Sequence, residues 1–125
     1  MTQNEKDILL KDLCARLPYF TKVQIKNEIV VLDSICDDDG YHFNFIGEDR
    51  EGVNIENIKP YLFPLSSMTE EQYDEISDLL QIICHSECAH YFTHKLTDWY
   101  NKNHFDYRGL IEMGLAIDAA ELNIY

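Results

Sequence analysis

Near its start the chain places apolar residues at a spacing that a helix gathers onto one side. Leu9, Leu13 and Leu17 recur every four residues with Leu10 and Cys14 beside them, and the helical period stacks them into a single stripe. Thr2 and Glu5 stand three residues apart, the spacing of a capping box in which each side chain satisfies a free amide at a helix start. Pro18 cannot continue the pattern, so a helix is predicted over residues 3–17.

From Thr21 the period shortens to two. Val23 and Ile25 alternate with polar neighbours, Lys26-Asn27-Glu28 reads as a turn, and Ile29 to Leu32 is a largely β-branched run, the composition of paired strands. Asp37-Asp38-Asp39-Gly40 is a second tight turn, and Tyr41, Phe43 and Phe45 alternate beyond it as a third strand. Val53 and Ile55 suggest a fourth short strand running towards Ile58. The expectation is a small antiparallel sheet over residues 22–58, a meander or partial barrel. Pro60 and Pro64 bracket Tyr61-Leu62-Phe63, which is expected to cross the open face of the sheet as an irregular apolar plug.

The second half reads as helical. Thr69 and Gln72 fit a capping box, with Met68 and Tyr73 as its hydrophobic staple, so a helix should begin at Glu70. Tyr73, Ile76, Leu80 and Ile83 share one side, whereas Cys88, Tyr91, Phe92 and Trp99 point elsewhere. Such a rotation of the stripe predicts a kink near residues 83–86, or a helix buried on two sides. Asn101-Lys102-Asn103 is a predicted break, after which Asp106 is placed to cap a last helix through Leu110, Ile111, Met113 and Leu115. The fold class is therefore α+β: an N-terminal helix, a small antiparallel sheet and a helical region over 69–118, within one domain spanning residues 1–125.

Charge changes this picture more than composition does. The chain carries 23 acids and 10 bases, a formal net charge of −13. Residues 1–36 and 81–108 are each balanced, whereas 37–56 hold seven acids against Arg50 and 57–80 hold five against Lys59. Such a surface repels phosphates and anionic headgroups, so direct nucleic-acid binding and membrane binding are not expected. No apolar run reaches the roughly 18 residues of a membrane span, and Met1 to Glu5 is polar, so a cytoplasmic protein is expected. In that setting Cys14, Cys36, Cys84 and Cys88, which sit among apolar neighbours, read as buried free thiols.

Candidate chemistry is sparse. Cys84, His85, Cys88, His90 and His94 offer zinc-type donors within eleven residues, yet on a continuous helix the two cysteines and the pair His90 and His94 occupy different faces. No metal ion or cofactor is expected. The acidic turn before Gly40 has Ile35 and Ile46 where a calcium loop needs carboxylates. Cys88, His90 and Asp98 supply the pieces of a nucleophilic site, but no nucleophile elbow, phosphate loop or dinucleotide glycine pattern accompanies them. A non-enzymatic role is favoured. The densest cluster of interface-type residues is Asp98 to Gly109, where Trp99, His104, Asp106, Tyr107 and Arg108 form a candidate partner surface. Arg108 is expected either to pair with Asp98 or Asp106 or to lie exposed for recognition.

The segments LCARLPY at 13–19, IKPYLFPLSSMTEEQYDEI at 58–76 and WYNKNHFDYRGLIEMGLAIDA at 99–119 resemble a family of small uncharacterised proteins of gut Bacteroides-like bacteria and their phages or prophages. The third strand and residues 81–97 depart from it. The resemblance implies provenance and brings no catalytic residues. The leading expectation is thus a phage or mobile-element accessory protein acting by protein–protein interaction. Two alternatives stay open: an acidic DNA mimic that inhibits a DNA-binding protein, drawing on the acids of residues 37–80, and a small metal-dependent hydrolase drawing on Cys84 to His94.

Overall fold

The computed structural model describes the backbone of residues 1–85 and 89–125, and the side chains of all but residues 84–90. Helix α1 spans Gln3–Arg16 and begins with the expected capping box. The Glu5 amide donates to the Thr2 hydroxyl at 3.1 Å, and the Thr2 amide donates to Glu5 Oε1 at 2.9 Å. Hydrogen bonding from the Thr2 amide first, and then from its hydroxyl, holds the Glu5 carboxyl below its usual pKa. At the other end Pro18 sits in a 3-10 turn over Leu17–Tyr19, and Phe20 adopts a left-handed backbone at φ 55°. The buried face of α1 is Leu9, Asp12, Leu13 and Arg16. This stripe is rotated from the all-apolar one read from the sequence, so Cys14 faces solvent instead of the core.

Strands β1, Lys22–Ile25, and β2, Glu28–Asp37, form a hairpin whose two turn residues, Lys26 and Asn27, both have positive φ. Two left-handed residues give the turn a twist that matches that of the strands. The Asp38-Asp39-Gly40 turn then leads into β3, Tyr41–Phe45, antiparallel to β2 with a register shift between Leu32 and Ser34. The meander is thus present, and the acidic segment is its hairpin turn. Val23 and Ile25, Val30 and Leu32, Phe43 and Phe45 bury one side of each strand against Leu9 and Leu13 of α1.

The fourth strand lies later than the sequence suggests. Ile55–Asn57 forms a 3-10 turn, and the segment expected to be an irregular plug contains β4, Lys59–Leu62. Its partner is β1, with Val23 opposite Pro60 and Gln24 opposite Lys59. Pro60 is tolerated because it stands at the second residue of the strand, before the parallel pairing on the other side begins at Tyr61. That pairing is with β5, Ile117–Asp118, which gives a five-stranded mixed sheet in the order β3-β2-β1-β4-β5. Beyond β4, Phe63 donates to the His104 carbonyl and accepts from the Asp106 amide, both at 2.8 Å, bridging in parallel to Phe105.

Helix α2, Glu70–His85, starts as expected: the Thr69 amide donates to Gln72 Oε1 at 2.9 Å and the Gln72 amide to the Thr69 hydroxyl at 3.2 Å. Helix α3 is Ala89–Lys102. The two pack against each other, and the Trp99 indole donates to Glu75 Oε2 at 3.0 Å. The kink anticipated near 83–86 falls partly outside the described residues. Among the described residues no helix is long and apolar enough to cross a membrane.

The last predicted helix does not form. Both Asp106 oxygens accept amides, from Leu110 and Ile111 at 2.9 Å each, four and five residues on, whereas a helix cap takes those two or three on. Gly109 at φ 77° and Gly114 at φ 75° break the backbone on either side of Leu110 to Met113. The result is a run of turns that delivers buried Leu110 and Leu115 to the core and leads into β5.

One polar cluster ties these parts together. Asp12 and Arg16 are fully buried. Arg16 Nε donates to Asp12 Oδ2 at 2.8 Å, and Arg16 Nη2 donates to Asp12 Oδ1 at 3.2 Å and to the Phe105 carbonyl at 2.7 Å. Arg108, 96 positions from Asp12, donates from Nε to Asp12 Oδ1 at 3.1 Å. Its partner is therefore Asp12, and neither Asp98 nor Asp106. Both guanidiniums lie near the Tyr107 ring, that of Arg16 at 5.4 Å and that of Arg108 at 4.9 Å from its centroid.

Removing the carboxylate leaves a buried guanidinium uncompensated, so Asp12→Ala is expected to cost about 3–5 kcal/mol in urea unfolding. Arg108→Ala, which deletes a part-exposed hydrogen bond to a charge, should cost about 1–3 kcal/mol. Replacing the buried pair together, Asp12→Leu with Arg16→Met, should cost less than Asp12→Ala alone. The reverse order would contradict the assignment.

Candidate functional site

The five residues singled out from the sequence lie in one corner, and each makes contacts within the chain. Trp99 stacks on Phe105 with ring centroids 5.5 Å apart and planes 9° from parallel. Tyr107 packs on Tyr100 at 5.6 Å, and Tyr100 meets the Phe105 ring edge-on at 6.4 Å. Asp106 is buried and caps the following turn. Arg108 belongs to the Asp12 cluster. His104 adopts a left-handed backbone at φ 62° and stacks on Tyr125 at 3.9 Å. The Tyr125 hydroxyl donates to the Tyr61 carbonyl and accepts from the Lys22 amide, both at 2.9 Å. The Lys22 ammonium also donates to the Ile124 carbonyl. Burial pushes the Tyr125 hydroxyl up to about 12.

This corner makes one wall of an open apolar groove through Tyr100. The groove has a volume of about 630 Å³ and runs along the first three turns of α2. Leu65 and Met68 line it from the turn before the helix, and Tyr73, Ile76 and Leu80 from the helix itself. Ile76 is buried at its floor, whereas Tyr73 is 55% and Leu65 42% exposed. Among the described residues Glu70 and Asp74 are its only ionisable side chains besides the two tyrosines. They belong to a helix that carries five acids and no lysine or arginine. In the sequence Met68 and Tyr73 fit each other as a local staple, a pairing that conceals the groove they line. The signal was present, since α2 presents more apolar side chains than a single contact with α3 covers.

A second concavity of about 820 Å³ lies between the β2–β3 turn and residues 50–54. It is polar and internally bonded: Asn44 donates to the Ser34 hydroxyl at 3.0 Å, and His42 Nε2 lies 2.7 Å from the Asp38 carbonyl. Arg50 at its edge is paired with Glu28 and Glu48. Among the described residues no group of three His, Cys, Asp or Glu side chains could hold a metal ion. The side chains of Cys84, His85, Cys88 and His90 lie outside the described residues. Cys14 and Cys36 are unpaired as expected but exposed, which corrects their assignment to the core. Partial burial raises the Cys14 thiol pKa.

The chain matches no protein-family profile, no curated protein and no solved structure.

The His104 imidazole is held neutral by burial, with Arg16 and Lys22 adding repulsion, and its pKa falls from 6.5 to about 4. Its other neighbour, Tyr125, stays uncharged. The unfolded chain therefore takes up this proton at a higher pH than the folded one. The stabilisation is complete above about pH 6.5 and is lost as the pH falls towards about 4. His104→Asn, which tolerates the left-handed backbone, is expected to lose less stability than the parent between those values. Urea unfolding at matched pH checks this, and equal slopes would refute it.

Proposed function

We propose that the chain is a non-enzymatic protein-binding module, an accessory protein of a phage or other mobile element acting in the host cytoplasm. The observation that carries this is the groove along α2, where large apolar side chains stand half in water beside a wall fixed by the corner. An exposed apolar groove with an aromatic residue at its centre is the kind of surface that anchors protein partners. The provenance rests on the three resembling segments. Unpaired, exposed Cys14 and Cys36 suit a reducing compartment.

The acids of residues 37–80 favour DNA mimicry less. They divide between the β2–β3 turn with its following loop and helix α2. Glu48 is held by Arg50, Glu56 by Lys6 and Glu75 by Trp99, so no uninterrupted ladder of free carboxylates is offered. The hydrolase alternative depends on Cys84, His85, Cys88, His90 and His94, of which all but the His94 side chain lie outside the described residues.

Affinity capture from lysate of the bacterial host, with and without phage induction, tests the proposal when the parent is run beside Tyr73→Ala and Leu65→Ala. Both side chains are exposed, so thermal stability should change by less than about 1 kcal/mol. A partner held by the parent should be lost or weakened about tenfold or more in the variants. A partner retained equally by all three proteins would remove the groove from the account.

A further inference from the structure

We infer that the occupant of the groove is a cationic amphipathic helix of a partner protein, seated along α2 with its apolar stripe on Tyr73 and Tyr100. The inference rests on the protein-binding reading above and adds the chemistry of the partner. The first argument is shape. The groove follows α2 from Glu70 to Leu80, a length of roughly 15 Å at 1.5 Å per residue, or about three turns of a second helix. Apolar side chains at i, i+3, i+4 and i+7 of such a helix would fall between the α2 side chains and the wall made by Leu65 and Tyr100.

The second argument is charge. Glu70 and Asp74 border the groove, and neither takes part in an ion pair among the described residues. Of the two lysines on α3, Lys95 is directed over the rings of Tyr91 and Phe92 on its own helix at 4.8 and 5.7 Å, and Lys102, exposed in the last turn, forms no ion pair among the described residues. Lysines or arginines flanking the apolar stripe of a guest would meet these carboxylates at the rim, raising the rate of encounter and fixing the direction of the helix. The same charge argues against a second copy of the chain. A two-fold contact would set Glu70 and Asp74 of one groove against their counterparts, in a protein of net charge −13.

The test uses the 125-residue chain and three labelled peptides of about 14 residues, enough for roughly four helical turns. The first has leucines at i, i+3, i+4 and i+7 flanked by lysines, the second has glutamates in place of the lysines, and the third scrambles the first. Fluorescence anisotropy is expected to show the lysine peptide binding at least about tenfold more tightly than the other two, and more weakly as salt rises. Glu70→Lys combined with Asp74→Lys should reverse the preference between the first two, and Tyr73→Ala should weaken the lysine peptide in a protein whose melting temperature is unchanged. Equal binding of the scrambled peptide would mean attraction of charge alone and would overturn the inference. So would equal binding of the glutamate peptide, or a dimer seen by sedimentation that Tyr73→Ala dissolves. If Tyr73→Ala releases a captured host protein that the lysine peptide cannot displace, the groove remains a binding site and only the cationic helix is wrong. If neither capture nor peptide binding responds to Tyr73→Ala, both readings fail.

Discussion

The carboxylate of Asp12 is where the chain's distant parts are held to one another. It lies in the middle of α1 with no exposure, and it accepts from Arg16 on its own helix and from Arg108 on the C-terminal corner. Two charges removed from water lose several kcal/mol of hydration each, which only close and well-directed contacts offset. Arg16 adds a bond to the Phe105 carbonyl to those it makes with Asp12. The requirement that this charge be compensated therefore fixes the position of Phe105 relative to α1. Phe105 in turn bridges to Phe63 at the end of β4, so helix, sheet and corner share one fixture.

The groove is a consequence of that arrangement. With Phe105 fixed, Trp99 stacks on it and reaches Glu75, while Tyr100 packs against Tyr107 and turns towards α2. Helix α2 begins where its capping box places it, and it sends Ile76 inwards. Tyr73 and Leu80 instead line the open groove beside Leu65, Met68 and Tyr100. A helix whose stripe is wider than its contact leaves part of that stripe uncovered, and Tyr73 is the clearest case.

Where a structural feature is set by neighbours in sequence, it was legible. Both capping boxes, the meander and the turn at Asp38 to Gly40 follow from local backbone chemistry, and all are present. Features set by distant partners were not. Pro60 looks like a strand breaker until its place before the β5 pairing is known. Asp106 and Leu110 to Leu115 carry helix signals, but Gly109 and Gly114 adopt left-handed conformations that a bare sequence does not announce. Asp12 and Arg16 were unremarked because charged residues ordinarily lie outside, and counting only apolar positions rotated the inferred face of α1 towards Cys14. The corner from Trp99 to Arg108 was recognised as structured, yet its main partner is 96 residues away and could not be read locally.

The most direct test of this account is a double-mutant cycle between Asp12 and Arg108, using Asp12→Ala, Arg108→Ala and the pair, read by urea unfolding. If the two side chains share one buried cluster, the double variant should lose less stability than the single losses predict together, with a coupling of about 1–3 kcal/mol. Losses that add to within about 0.5 kcal/mol would mean that Arg108 does not depend on Asp12, and the fixture joining α1 to the groove wall would be disproved.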